Sequence, residues 1–488
     1  MMEAQRHKCP RVVLSGLSGG SGKTVATLGL TEMWRRKGLV VAPFKKGPDY
    51  IDVAWHALSA GRPSHNLDTF LMEPADILWS LKAHSRFADI ALVEGNRGLY
   101  DGVDADGTHS TAELAKLIDA PVVVVINCTK TTRTVAAMVL GCKMMDERLN
   151  IGGVILNQVA NIRHESIIRT AVEKEAGVPV LGAIPRIRDL PFSERHLGLL
   201  PPEEHPRARS ALDRLFEVVR NNMDADAIQA LAASSSPLAL SSTADDSIVA
   251  PGPAPRIGVF RDSAFTFYYP ENLEALERRG ARLVKISALH DRELPPVDAL
   301  YIGGGFPETH ARMLAANESF RASLRREAED GLPIYAECGG LIFLAEAVEF
   351  RGETYPMAGV FPVMFSVKEK PQGHGYVIVE VDKSNPYFDE GAVLRGHEFH
   401  YAGVSGYRPE EVRTAFRVKR GSGFDCGRDG LVYKNVLATF CHIHALGEKR
   451  WAKALIHAAC RRLSNASAAG HREAAGGSTI ESKAGLRQ

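Results

Sequence analysis

GLSGGSGKT, residues 16–24, stands between the apolar run RVVL at 11–14 and a segment of helical periodicity that reaches Lys37. A strand, a glycine-rich turn and a helix, in that order, bring backbone N–H groups and a helix N-terminus to one point, where phosphate oxygens are held. Gly19, Gly20, Ser21 and Gly22 supply the loop amides, Lys23 a point charge and Thr24 a hydroxyl suited to Mg²⁺. The spacing departs from the strict G-x-x-x-x-G-K-[ST] pattern, because Leu17 stands where the opening glycine belongs and Gly16 lies one position earlier. The stretch therefore reads as a variant P-loop, a cradle for nucleotide phosphates. A turn that serves only chain reversal is the bland alternative, and the flanking strand and helix count against it.

Working outward, the apolar run recurs at 39–44, 90–93, 122–126 and 154–156, separated by helical stretches at 74–84 and 165–176. Val- and Ile-rich runs alternating with helices are what a parallel sheet buried on both faces requires. The N-terminal half is thus expected to be α/β, a doubly wound parallel sheet, with ligands gathered at the C-terminal strand ends. After the second run comes KKGPDYID, 45–52, whose carboxylates Asp49 and Asp52 and two lysines suit a site holding Mg²⁺ beside anionic groups. After the next comes VEGNRGLYDG, 93–102, where Glu94 ends an apolar run and faces the P-loop as a Mg²⁺ ligand does in other P-loop enzymes. Asn127 and Asn157 each close a strand, and Asn157 is the better candidate to read the nucleotide base.

Composition narrows the class. At 488 residues the chain is long for one domain, and two domains with a connecting segment are expected. Lys+Arg 59 against Asp+Glu 58 leaves a net charge of +1, which argues against a nucleic-acid partner and for small-molecule chemistry. Seven cysteines (9, 128, 142, 338, 426, 441, 460), odd in number and without CxxC spacing, argue against a disulfide framework or a zinc site. With no signal-peptide pattern and no membrane-length apolar run, a soluble cytoplasmic protein is expected.

GLSGGSGKT, FKKGPDYID, VEGNRGLYDG and GVILNQVANIRH together resemble the cobyrinate a,c-diamide synthases of corrinoid biosynthesis, whose ATP domain is similar to dethiobiotin synthetase. The resemblance covers nearly all of residues 10–450. It implies ATP and Mg²⁺, the metal near Thr24, Asp49 and Glu94, and a tetrapyrrole polycarboxylate near Tyr50, Ile51, Asp52 and Asp101. The domains expected are an ATP-binding amidoligase domain at 1–221, a linker rich in Ala, Ser, Asp and Pro at 222–255, a second α/β domain at 256–463 and a disordered tail at 464–488.

In the second half, LPIYAECGGLIFL (332–344) reads as a strand ending at Cys338, two glycines and an apolar helix. The thiol sits at a helix N-terminus, where a thiolate is favoured, on a nucleophile elbow. The glycine run 303–305 closes another strand; Gly304 and the N–H of Gly339 are the expected oxyanion donors. ATFCHIHALG (438–447) places His442 and His444 two residues apart on a strand, one of them to meet Cys338. The segment resembles the class I glutamine amidotransferases of the corrinoid branch, with a flavodoxin-like α/β domain, in which the catalytic histidine takes the position of His442. Many relatives in the wider superfamily carry Glu two residues later as the orienting third member. Here that residue is His444, which leaves the third member unassigned. Cys441 reads as core, and His397, Glu398 and His400 in RGHEFHYAG read as structural, because their spacing is not that of a metal motif.

Together the halves imply that glutamine is hydrolysed through a Cys338 thioester and that its ammonia displaces phosphate from an acyl phosphate made with ATP, amidating the a- and c-acetates of cobyrinic acid. Cobyric acid synthase shares this domain order but would carry an asparagine-rich string at FKKGPDYID. Ni-sirohydrochlorin and hydrogenobyrinate a,c-diamide synthases are close alternatives. A MinD-like ATPase switch with a regulatory second domain is the alternative of another class, disfavoured by the cysteine elbow and by the lack of a basic amphipathic targeting helix. A homodimer is compatible with all of these.

Overall fold

A computed structural model of the chain describes residues 9–187, 194–195, 198–238 and 254–477. The chain divides into two compact units, 1–244 and 245–488. In the first, seven strands, β1 (Arg11–Gly16), β2 (Val41–Lys46), β3 (His65–Leu67), β4 (Ile90–Glu94), β5 (Val122–Asn127), β6 (Ile151–Val159) and β7 (Val180–Pro185), form one sheet in the order β3-β2-β4-β1-β5-β6-β7. Every pairing is parallel. Strands β1, β2 and β4 are buried at every position, as expected when helices cover both faces.

Two features of this sheet position a site. β1 lies between β4 and β5, so the glycine turn leaves the sheet at its centre. The register pairs Lys45 with Glu94 across β2 and β4, and Leu14 with Glu94 across β1 and β4, so a buried charge pair sits beside the strand end from which the glycine turn departs. The helices α1 (Lys23–Arg36) and α2 (Ile51–Ala60) begin beyond the ends of β1 and β2.

The stretch 222–255 is not a linker throughout. Residues Ala225–Ala233 form a helix capped by Asp224, whose carboxylate accepts from Ala227 N at 2.9 Å. Its Ile228 and Ala232 are fully buried in the core that contains Val12, Leu28 and Trp34, and Trp34 Nε1 donates to Ala225 O at 3.1 Å. Ala-rich composition conceals an amphipathic helix here, because alanine counts equally toward a linker and toward a buried helical face. Residues 239–253 of the expected linker lie outside the described residues.

The second unit begins with the strands Arg256–Phe260, Arg282–Ile286, Ala299–Ile302 and Ile334–Glu337, the last two being those expected before the glycine run 303–305 and before Cys338. With Val436–Thr439 they make the parallel half of a ten-stranded sheet. The other half, built from Gly373–Val381, Val393–His400, Arg413–Arg420 and Arg428–Tyr433, is antiparallel and is not anticipated from the sequence. The last strand, His442–Ile443, pairs not beside Val436–Thr439 but with Gly396 and His397 at the far side of the sheet. The single strand expected across 438–444 is therefore two short ones. The tail is also corrected: a helix runs over Lys449–Gly477, and only 478–488 lie outside the described residues.

Candidate active sites

Lys23 follows the turn directly as the first residue of α1, with Gly22 as its cap at φ 98°. A Cβ at Gly22 would lie 2.1 Å from Asn157 Nδ2, so both the left-handed backbone and the space demand glycine. Asn157 donates through that nitrogen to Ser21 O at 2.9 Å. Expected to read a base, it braces the underside of the loop through this bond. Gly19 and Gly20 are exposed, and Lys23 Nζ donates to Ser18 O at 2.9 Å and to Arg97 O at 2.8 Å, so the ammonium is held across the mouth of the turn. Burial, and then the positive charge of Lys45, hold Lys23 below its ordinary range.

Beneath Lys23 lies a buried charge cluster. Glu94 Oε1 accepts from Thr24 Oγ1 at 2.8 Å and from Lys45 Nζ at 2.7 Å, while Oε2 meets His56 Nε2 at 2.7 Å. Lys45 Nζ also reaches Asp52 Oδ2 at 2.6 Å, and Asp49 Oδ1 accepts from Asp52 N at 2.8 Å. Burial alone would neutralise both Lys45 and Glu94. Lys45 is nevertheless raised, because the carboxylates of Asp52 and Glu94 outweigh burial, and Glu94 is depressed by Lys45 and His56. Asp49 is pushed up to about 6, first by burial and then by the like charge of Asp52.

Thr24, Asp49, Asp52 and Glu94 are thus brought together. The donors are hard oxygens and the carboxylates crowd one another, which fits a Mg²⁺ ion held by one or two carboxylates and water. Tyr50 and Ile51 stand at the entrance of α2, and Asp101 accepts from Gly98 N at 2.8 Å, shaping the loop whose Arg97 carbonyl receives Lys23. Nothing in the sequence marks His56, because its role depends on which face of α2 turns toward β4.

In the second unit Cys338 sits at φ 48°, ψ −97° between Ile334–Glu337 and the helix Gly339–Leu344. A non-glycine residue in that conformation is strained, as at a nucleophile elbow. The expected thiolate is corrected. The thiol is held well above its ordinary range by burial and then by Glu308, and this outweighs the Gly339 N–H that bonds it. Burial thus works against the thiolate, and a base beside the sulfur would be needed to take its proton.

The expected oxyanion donors are corrected in part. Gly304 N donates to Phe267 O at 3.2 Å, and Gly303 N to Tyr268 Oη at 2.8 Å, so neither amide is open. The next amide, Gly305 N, would lie 3.0 Å from a Cβ on Gly339, which places it against the elbow. On the other side, a Cβ on Gly304 would lie 2.6 Å from His442 Cε1 and 3.3 Å from its Nε2. The glycine loop 303–305 thus has the elbow on one flank and the His442 ring on the other. His442 stacks on His397, ring centroids 4.9 Å apart, and its Nδ1 meets Glu337 Oε2 at 3.4 Å. His444 faces elsewhere: its Nε2 lies 3.6 Å from Glu271 Oε2, and its Nδ1 accepts from Leu446 N at 3.2 Å.

The remaining motif residues have local partners. Glu398 accepts from Ser422 N at 2.6 Å and Gly423 N at 2.9 Å, and His400 Nδ1 donates to Ala402 O at 2.7 Å. Cys441 is buried in the core. All seven cysteines are free thiols, and no helix among the described residues is long and apolar enough to cross a membrane.

A P-loop α/β unit joined to a unit with a cysteine elbow and a histidine defines a class: an ATP-using, glutamine-hydrolysing carbon–nitrogen ligase. Family models agree, with a CobB/CobQ-like glutamine amidotransferase domain matching residues 256–450 and an AAA domain matching 10–193. Over 91% of its length the chain is 43% identical to the cobyrinate a,c-diamide synthase of Magnetococcus marinus, covering 96% of that protein. It is 40% identical to the enzyme of that name from Archaeoglobus fulgidus (93% and 98% covered) and 41% identical to that from Methanothermobacter thermautotrophicus (89% and 96% covered). The chain belongs to the cobyrinate a,c-diamide synthase family.

Proposed function

We propose that the chain amidates the a- and c-acetate carboxylates of cobyrinic acid in turn, with ATP as the activating substrate and glutamine as the nitrogen source, in cobalamin biosynthesis. The observation that carries this is identity of about two residues in five with synthases of that name along almost the whole of both chains. Lys23 and the amides of Gly19, Gly20, Ser21 and Gly22 hold the phosphates. Thr24, Asp49 and Glu94 would hold Mg²⁺, which when bound neutralises charge on the transferring phosphoryl group. Tyr50, Ile51, Asp52 and Asp101 face the tetrapyrrole acid. The substrate carboxylate takes the γ-phosphoryl group of ATP, and ammonia then displaces phosphate from the acyl phosphate to leave the amide.

The ammonia comes from glutamine. His442 takes the Cys338 proton as sulfur attacks the amide carbon, the amides of Gly339 and Gly305 receive the developing oxyanion, and the proton passes to the departing ammonia. Water then releases glutamate from the thioester. Free buried thiols fit a reducing cytoplasm as the setting. The test is mass spectrometry of cobyrinic acid, hydrogenobyrinic acid and Ni-sirohydrochlorin, each incubated with enzyme, ATP, Mg²⁺ and glutamine. Two amides gained on cobyrinic acid are expected; amidation of Ni-sirohydrochlorin alone, or of none, would overturn the proposal.

A further inference from the structure

We propose that Glu337, the residue immediately before the nucleophile, is the carboxylate that orients His442 for glutamine hydrolysis. The inference rests on Cys338 and His442 being the hydrolytic pair and assigns the third group, which residue 444 does not supply. His444 accepts from Leu446 N and lies near Glu271, Nε2 being 3.6 Å from Oε2, with its ring 4.6 Å from that of Tyr269. Its displacement has a backbone cause: the strand ends at Ile443, and the chain then turns, with Gly447 N and Glu448 N both donating to His444 O.

Glu337 is fully buried, and no Lys or Arg reaches it among the described residues. Its partners are Tyr301 Oη, donating to Oε2 at 3.0 Å, Ile443 N, donating to Oε1 at 3.2 Å, and His442 Nδ1, 3.4 Å from Oε2. A buried carboxylate without a cation is costly unless its hydrogen bonds are complete or its charge is used. Here the one partner able to become a cation is the imidazole expected to receive the thiol proton. With Nδ1–H donating to Glu337, Nε2 is the basic nitrogen, and it is the Nε2 and Cε1 edge that borders Gly304, beside the elbow.

The carboxylate is itself fixed. Asn272 Nδ2 donates to Tyr301 Oη at 3.1 Å and to Ile443 O at 3.0 Å, and its Oδ1 accepts from Ala445 N at 2.7 Å. One buried network therefore locks Glu337 and the backbone on both sides of Ile443, and so the plane of the His442 ring. Glu337 touches neither glutamine nor the sulfur in this arrangement and is a positioning residue.

The experiment compares Glu337→Gln, Tyr301→Phe and His444→Ala in the full chain, measuring glutaminase kcat and KM separately and amidation with ammonium salts. Glu337→Gln keeps the side-chain shape but presents an amide to Nδ1, and its glutaminase kcat should fall about 10²- to 10⁴-fold with KM within about threefold. Amidation with ammonium should stay within about twofold of the unmodified chain. Tyr301→Phe, which removes one donor and leaves the carboxylate, should lose less than about tenfold, as should His444→Ala. Glutaminase kcat within about threefold of the unmodified chain in Glu337→Gln would overturn the proposal. So would Tyr301→Phe falling as far as Glu337→Gln, since the network would then be structural only. Glutaminase surviving Cys338→Ala would instead strike the hydrolytic pair itself.

Discussion

Residues 18–20 of the first turn are exposed, whereas every residue from 332 to 345 around the second is buried. Both turns leave the C-terminal end of a parallel strand and enter a helix, and both contain glycines, yet burial sends them to opposite chemistry. The open turn sets Lys23 over a cluster of compensated charges, where a large anion can be received from water. The sealed turn buries its sulfur away from water, where a thiol can attack an amide once a base is aligned. The difference lies less in the turns than in what stands beneath each: Lys45, Glu94 and His56 under one, Glu337 and His442 beside the other.

The comparison breaks most readily at the sulfur. Cys338→Ala should abolish glutamine-dependent amidation, by more than about 10³-fold, while ammonium salts still support synthesis. Loss with both nitrogen sources would mean that the turns are not separate stations. Lys23→Met should do the reverse, lowering synthesis about 10²- to 10³-fold with either nitrogen source, because a preorganised cation at the phosphates is lost. A glutamine-only defect would contradict the assignment of the open turn.

Smaller effects sharpen the contrast. Glu94→Gln leaves Lys45 with Asp52 as its charged partner and His56 with a neutral one in the interior, and a loss of about 3 kcal/mol is expected in urea titration, against about 1 kcal/mol or less for a surface pair such as Arg325–Glu329. Beside the sealed turn, Asp429 accepts from Thr439 Oγ1 at 2.7 Å and is pushed up to about 6 by burial. A carboxyl raised above its unfolded value binds its proton more tightly when folded, so its stabilising contribution is present below about pH 4 and lost as pH rises through 6. Asp429→Asn cannot titrate, so in urea titrations the parent chain should lose about 2–3 kcal/mol relative to it as pH rises from 4 to 7. Least of all, Gly19→Ala should change stability by under about 0.5 kcal/mol, since a Cβ there meets nothing within 4 Å. Gly22→Ala, strained and driven into Asn157, should weaken nucleotide binding measurably by calorimetry.

Much of this was legible in the chain. Apolar runs of β-branched residues delimit the parallel strands of both units to within a few residues, and the strand–glycine–helix order marks both turns. What escaped has a common character. The helix Ala225–Ala233 hides in alanine-rich composition, the antiparallel half of the second sheet has no clean alternation to announce it, and Gly304 looks like an open donor until Phe267 O is seen to accept its amide.

Local order along the chain determined where phosphate and sulfur chemistry would sit, because a strand ending in glycines and entering a helix creates such a place from adjacent residues alone. Only the tertiary structure decided which side chains serve those places. His56 reaches Glu94 across 38 positions, Glu337 reaches His442 across 105, and His444 is turned away by a strand that stops one residue before it. Such partnerships depend on sheet register and chain crossing, which no local pattern encodes.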